Sequence, residues 1–115
     1  MPEPGVVESE FDCRKSGQGY SGMLHGGVTC MLLDGAMTNC LFAHGRVAVT
    51  VDLQVRFRHP LKLETRATVR AWIESSAGIV YKVRGEIRQN GRTVAAATGQ
   101  FIDKSFPGLQ PATQP

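Results

Sequence analysis

The sequence predicts an α+β domain in which one long helix is wrapped by a curved antiparallel sheet. Three observations predict it. Gly26 to Ala43 is apolar on nearly every side and carries one charge, Asp34; a helix with so little polar surface is a buried one. From Val47 onward, apolar and polar residues alternate with period two through four successive stretches, which is the period of half-buried strands. Short turns separate those stretches, and short turns join antiparallel neighbours. One helix is available to cover this sheet, so the sheet must curve around it or share it with another subunit.

The elements follow in order. Met1 to Gly5 and Phe106 to Pro115 are proline-bearing ends expected to fray, leaving one domain over 1–115 with an ordered core of about 6–104. Val6 to Cys13 is a first strand, and Ser16 to Leu24 a glycine-rich loop. The helix from Gly26 ends at His44-Gly45, where Gly45 supplies the left-handed residue that closes a helix. Val47, Val49, Val51, Leu53, Val55 and Phe57 alternate with Ala48, Thr50, Asp52, Gln54, Arg56 and Arg58, and Pro60 ends that strand. A third strand runs from Leu61 to Ile73, with a turn at Ser75 to Gly78. A fourth runs from Ile79 to Arg88. Asn90-Gly91 marks a two-residue hairpin, because both central residues of a type I′ turn need positive φ. Arg92 to Asp103 is the last strand.

Composition narrows the function. Hydrophobic residues are 42% and charged residues 20%, an ordinary globular balance. A net charge of +3 and a pI near 9.0 fall short of the clustered basicity of a nucleic-acid binder, yet suit a small anionic ligand such as a phosphorylated cofactor. No run reaches the ~18 apolar residues of a membrane span, and acidic Met1–Glu10 has no apolar signal core. Cys13, Cys30 and Cys40 lack metal-ligand spacing, as do His25, His44 and His59. Cys30 and Cys40 lie roughly 15 Å apart along the helix and cannot bridge. An odd, unpatterned cysteine count fits a reducing cytoplasm.

Asp34 is the first candidate for chemistry. Its helical neighbours are Cys30, Met31, Leu33, Gly35, Met37 and Thr38, and a lone carboxylate in apolar surroundings is costly unless paired, solvated in a cleft or used. The structural alternative is a buried carboxylate that pairs with an arginine or caps a backbone group. At the other end of the helix, Gly26 and Gly27 offer free N–H groups at the positive end of the dipole, and their lack of side chains lets a substrate approach. A helix start of this kind can polarise a carbonyl, and a carboxylate can activate a water to attack it.

The motif His25-Gly26-Gly27 followed by Leu32-Leu33-Asp34-x-Ala36-Met37 resembles the hotdog-fold acyl-CoA thioesterases, especially the phenylacetate-pathway (PaaI-type) branch. The likeness includes Gly19-Tyr20-Ser21-Gly22-Met23-Leu24, Val49-Thr50-Val51-Asp52-Leu53 and Arg56-Phe57-Arg58-His59-Pro60-Leu61, and covers roughly 17 to 104. It implies that the Gly26 N–H polarises the thioester carbonyl and that Asp34 acts as general base or nucleophile. Thr50 would help to hold the water or the carboxylate, and His25 would be more structural than acid–base. Some members carry an Asn six positions before the histidine, where this chain has Gly19, and many carry Glu after the Asp, where this chain has Gly35. No cofactor is implied beyond the coenzyme A carried by the substrate.

Spacing adds a constraint. Gly26 and Asp34 are eight positions apart, roughly 12 Å along the axis, so one helix cannot place both beside one carbonyl carbon. Two antiparallel copies can, which predicts a homodimer with two composite sites, with a homotetramer as a further step. By strict alternation Thr50 lies on the polar face with Asp52 and Gln54, so a bulge or a subunit contact would be needed to aim it at Asp34. Arg56, Arg58, Lys62, Arg66, Arg70, Lys82 and Arg84 share one parity. They read as a solvated outer face, with Arg58 and His59, beside Pro60, the candidates for holding coenzyme A phosphates. Trp72, on that parity, suggests that part of the face is covered. Tyr20, Met23 and Leu24, with Gly27, would line the acyl or pantetheine channel.

Three other readings are weaker. Gly17 to Gly22 matches GxGxxG but sits in no βαβ unit. Cys30 with His25 could suggest a thiol nucleophile, but Cys30 falls inside the expected buried helix, and a buried cysteine is usually inert. The hotdog hydratases carry an Asp followed five positions later by His, where this chain has Asn39. A non-catalytic acyl-CoA binding module is the rival from another class, and Asp34 weighs against it, since a binder gains nothing from a carboxylate beside a thioester.

Overall fold

The computed structural model describes residues 5–12, 26–59, 62 and 65–104. The loop Ser16–Leu24, with Tyr20, Met23, Leu24 and the GxGxxG match, lies outside the described residues, as do Cys13, His25, Pro60, Leu61, Leu63 and both chain ends. Six elements appear: β1 (Val6–Asp12), α1 (Gly26–Ala43), β2 (Ala48–Phe57), β3 (Arg66–Ala77), β4 (Val80–Gln89) and β5 (Arg92–Asp103).

The helix has the expected bounds. Thr29, Leu33, Met37, Cys40 and Leu41 form its buried stripe at helical spacing. It ends as a Schellman motif: Arg46 N–H donates to the Leu41 carbonyl at 2.8 Å, Gly45 N–H to Phe42 at 2.9 Å, and Gly45 has φ +77°. The opposite face carries Met31 and Phe42, which are 73% and 70% exposed.

All strand pairs are antiparallel, in the order β1-β3-β4-β5-β2. One of the two tight connections falls where expected and the other is shifted. Asn90 and Gly91 have φ +52° and +79° and join β4 to β5. The other turn falls at Gly78-Ile79 and not at Ser75, because a register shift between Ile73 and Ser75 lets Ser75 and Ser76 remain paired with Lys82 and Tyr81. Expected adjacency fails between β2 and β3. They are three strand spacings apart, roughly 14 Å, and β2 closes the far edge beside β5. The connection is held where it passes β4: the Gln89 side chain accepts from Lys62 N–H at 2.9 Å and donates to the Lys62 carbonyl at 3.0 Å.

The core lies between α1 and the inner sheet face. Leu33, Met37 and Leu41 meet Val69, Ala71, Val83, Ile87, Ala95 and Phe101, all buried. The helix approaches closely because two strand positions lack side chains. A Cβ on Gly99 would sit 2.7 Å from the Phe101 ring and 3.3 Å from Met37 Cε, and one on Gly85 would sit 3.3 Å from Met37 Cγ. Such gaps are filled by the helix side chains, which lets the sheet curve around α1.

Candidate active site

One local irregularity builds the site. In β2, Thr50 pairs with Phe101 and Asp52 with Gln100, so Val51 is an extra residue, a β-bulge. Alternation restarts there. Before the bulge, Ala48 and Thr50 turn toward the helix, and Val49 and Val51 stand 37% and 49% exposed on the outer face. After it, Leu53 and Val55 pack inward. The uniform odd-inward pattern expected from Val47 to Phe57 is therefore corrected for the first half of the strand. The extra residue moves Thr50 off the polar face.

Thr50 Oγ1 then donates a hydrogen bond to Asp34 Oδ1 at 2.7 Å. Asp34 is half-buried, between the core residue Leu33 and exposed Gly35. A Cβ built on Gly35 would meet nothing within 4 Å, so the helix surface beside the carboxylate is open. Oδ2 has no partner among the described residues, which leaves it able to accept a proton from water. The hydrogen bond anchors one carboxylate oxygen and leaves the other unengaged among the described residues.

Gly26 opens the helix and is exposed, and its N–H, as the first of the helix, has no intrahelical acceptor. A Cβ there would lie 3.6 Å from Phe57 Cζ, so Phe57 marks the end of β2 beside the helix N-terminus. Gly27 is likewise exposed. Asp34 and Thr50 are thus together, while Gly26 lies two helical turns away. Phe57, and the bulge at Val51, were not singled out from the sequence. Nothing local to Thr50-Val51-Asp52 announces an inserted residue.

The basic residues divide sharply. Arg66 pairs with Glu10, Arg70 with Glu8 and Glu86, and Lys82 and Arg84 with Glu74. The hydrogen bond from Arg84 comes first in holding the Glu74 carboxyl below its usual range. These residues form the charged outer face. Arg56 and Arg58 have no acidic partner among the described residues; with Gln54, Arg84 and Thr98 they border a depression of about 360 Å³ on that face. His59 is exposed, and its N–H and that of Arg58 both donate to the Val94 carbonyl. Trp72 is half-buried, its ring 6.0 Å from the Arg70 guanidinium.

Cys30 is half-buried, whereas Cys40 is fully buried, its thiol pushed up by burial and directed at the Ala71 carbonyl. Among the described residues no cluster of three or more His, Cys, Asp or Glu could hold a metal, and no helix is long and apolar enough to cross a membrane.

Comparison with known proteins fits this geometry. A thioesterase superfamily protein of known structure is 28% identical over 86% of this chain with a TM-score of 0.83, although the chain spans only 49% of that protein. A phenylacetic acid degradation-related protein of Ralstonia eutropha JMP134 is 27% identical, with a TM-score of 0.78, covering 85% of this chain and 76% of its own. A hypothetical thioesterase from Streptococcus pneumoniae TIGR4, solved with coenzyme A, shares the fold at 22% identity and a TM-score of 0.82, covering 86% of this chain and 81% of its own. No curated protein matches the chain. The sequence profile of the Thioesterase superfamily matches residues 21–96, and with its single helix on a five-stranded antiparallel sheet in the hotdog arrangement, this chain belongs to the thioesterase superfamily.

Proposed function

We propose that this protein hydrolyses acyl-CoA thioesters to the carboxylic acid and free coenzyme A at a site shared between two subunits. The observation that carries the reading is the 2.7 Å hydrogen bond that fixes Asp34 with one oxygen left open. Asp34 acts as general base for water, or as nucleophile, with Thr50 holding it. The carbonyl oxygen rests on the Gly26 N–H of a second subunit, because Gly26 and Asp34 of one helix are roughly 12 Å apart. Water adds to the carbonyl carbon as its proton passes to Asp34; the C–S bond then breaks and Asp34 returns that proton to the departing sulfur, which releases the thiol and regenerates the carboxylate. The reaction needs no cofactor beyond the coenzyme A moiety of the substrate. The solved relative that holds coenzyme A supports that substrate class. Arg58 and His59, at the same end of β2 as Gly26, are the residues proposed to meet its phosphates, and Gly27, Tyr20, Met23 and Leu24 to line the path of its acyl or pantetheine chain. His25 contributes to the site by shaping the entry to the helix.

A panel of acyl-CoA substrates with free-thiol detection, run on wild type and Asp34→Asn, tests this. Turnover by wild type and its loss in Asp34→Asn are expected. Binding of acyl-CoA without turnover on any thioester would replace the enzyme with a binding module, and equal rates in both proteins would remove Asp34 from catalysis.

A further inference from the structure

β2 ends at Phe57, which pairs with Ala95. Past the Val51 bulge the odd residues face the helix, and Leu53 and Val55 pack against the core. Phe57 keeps that parity but lies beyond the core, and it is 51% exposed. The chain is pinned just past it: the N–H groups of Arg58 and His59 both donate to the Val94 carbonyl, at 2.8 and 3.1 Å. The ring is thereby held against the start of α1. A carbon added at Gly26 would lie 3.6 Å from Phe57 Cζ and 3.9 Å from Cε1, both ordinary contact distances. The ring edge thus stands off Gly26 by the thickness of about one carbon atom. Gly26 also carries the first N–H of the helix, which has no intrahelical acceptor. A half-open phenyl ring beside a free N–H is unusual packing for a strand end, and it suits a group that binds between them.

We propose that Phe57 is the apolar wall of the carbonyl site and touches the thioester held on the Gly26 N–H of its own protomer. The proposal rests on the thioesterase reading above and adds a residue to that site. The physical reason is dielectric. A donor open to water acts in a medium of ε about 80, and a phenyl ring that keeps water from one side of it raises the worth of its field several-fold. The charge that develops on the carbonyl oxygen gains most from this, and the neutral carbonyl of the bound substrate gains least. The ring therefore acts on kcat more than on KM. The edge atoms Cζ and Cε1 are the ones turned toward Gly26, and a divalent sulfur such as that of a thioester sits well at a ring edge. Phe57 takes no proton and forms no bond. It belongs with Gly26 to one half of the composite site, whose other half is Asp34 and Thr50.

Steady-state acyl-CoA hydrolysis by Phe57→Leu, Phe57→Gln and Phe57→Glu tests this. Leucine keeps an apolar wall and should keep most of kcat. Glutamine opens the site to water and should lower kcat roughly tenfold, with KM within about threefold of wild type. Glutamate has the same size and one negative charge, which would face the developing oxyanion and lower kcat roughly tenfold further. Added salt should narrow the gap between the last two. Their melting temperatures should agree, so that the gap reports charge and not unfolding. Equal kcat in the glutamine and glutamate variants would assign Phe57 to packing and overturn the proposal, as would a rise in KM at unchanged kcat. Mixing Phe57→Glu with Asp34→Asn tests which half of the site the ring serves. In a mixed dimer, one site joins Phe57 and Gly26 of one subunit to Asp34 of the other, all intact. Random exchange puts roughly a quarter of all sites in that state, and turnover should rise to about that level, above either parent. Exchange of differently tagged subunits without recovery would place Phe57 on the Asp34 half and overturn the proposal. A wild type that turns over no acyl-CoA overturns the thioesterase reading and this role with it; wild-type kcat in Phe57→Gln and Phe57→Glu overturns this role alone.

Discussion

The two halves of β2 share a sequence pattern and do different things. Val47, Val49 and Val51 look like the continuation of Leu53 and Val55, yet the first three are exposed and the last two pack against the core. The single inserted residue at Val51 separates them. In the first half, exposing two valines allows Thr50 to reach Asp34. The second half keeps ordinary alternation and turns Asp52, Gln54 and Arg56 outward. The comparison teaches that one inserted residue can turn a strand hydroxyl toward a helix carboxylate, and that the valines around it are exposed as a result.

The largest expected effect lies at the α1 carboxylate that the first half contacts through Thr50. Asp34→Asn keeps the shape and the hydrogen bond from Thr50 but cannot take a proton, and acyl-CoA turnover should fall by roughly 10²–10⁴-fold with the melting temperature little changed. Removing the donor is milder. Thr50→Val should lower kcat about tenfold by freeing the carboxylate, as expected of one lost charge-assisted bond, and Thr50→Ser should keep most of the activity. A steady-state comparison of the three proteins measures both.

The same substitution in each half sharpens the contrast. Val55→Thr places a hydroxyl against the core and should cost about 1–3 kcal/mol in urea unfolding. Val51→Thr, on an exposed valine, should stay within about 0.5 kcal/mol. Equal costs would mean that the bulge does not reset the strand. The smallest effect concerns the anchor below β2, where Tyr81 donates to Asp103 Oδ2 at 2.8 Å and the Arg46 guanidinium lies 5.9 Å from the Tyr81 ring. The hydrogen bond to Asp103, then burial, raise the Tyr81 hydroxyl above its ordinary value. A raised folded-state value stabilises the fold fully below the unfolded value of about 10, and that stability is lost as the pH rises through the folded value. Melting temperatures of wild type and Tyr81→Phe should therefore converge in alkaline solution and differ near neutrality.

Much of the fold was legible in local signals. α1 begins at Gly26 and ends at Ala43 as expected, because an apolar run and a following glycine are both written within a few residues of each other. The Asn90-Gly91 hairpin was legible for the same reason. Adjacency of β2 and β3 was misread, because a connection through residues 58–65 is long enough to pass over two strands, and only a two-residue turn forces neighbours together. Within the site, Asp34 stood out as the one charge on its helix, whereas the facing of Thr50 was hidden.

By itself the chain determined which residues are available for chemistry: a carboxylate in an apolar helix, two glycines at the start of that helix, and a hydroxyl on the strand that follows. Tertiary structure alone decided that the hydroxyl meets the carboxylate and that β2 lies beside β5 and not beside β3. The physical reason is that periodicity records which face a residue prefers, and a bulge or a choice of strand neighbour is settled by pairing with residues far away in sequence. Phe101 and Gln100, about fifty positions beyond Thr50 and Asp52, are what make Val51 an extra residue.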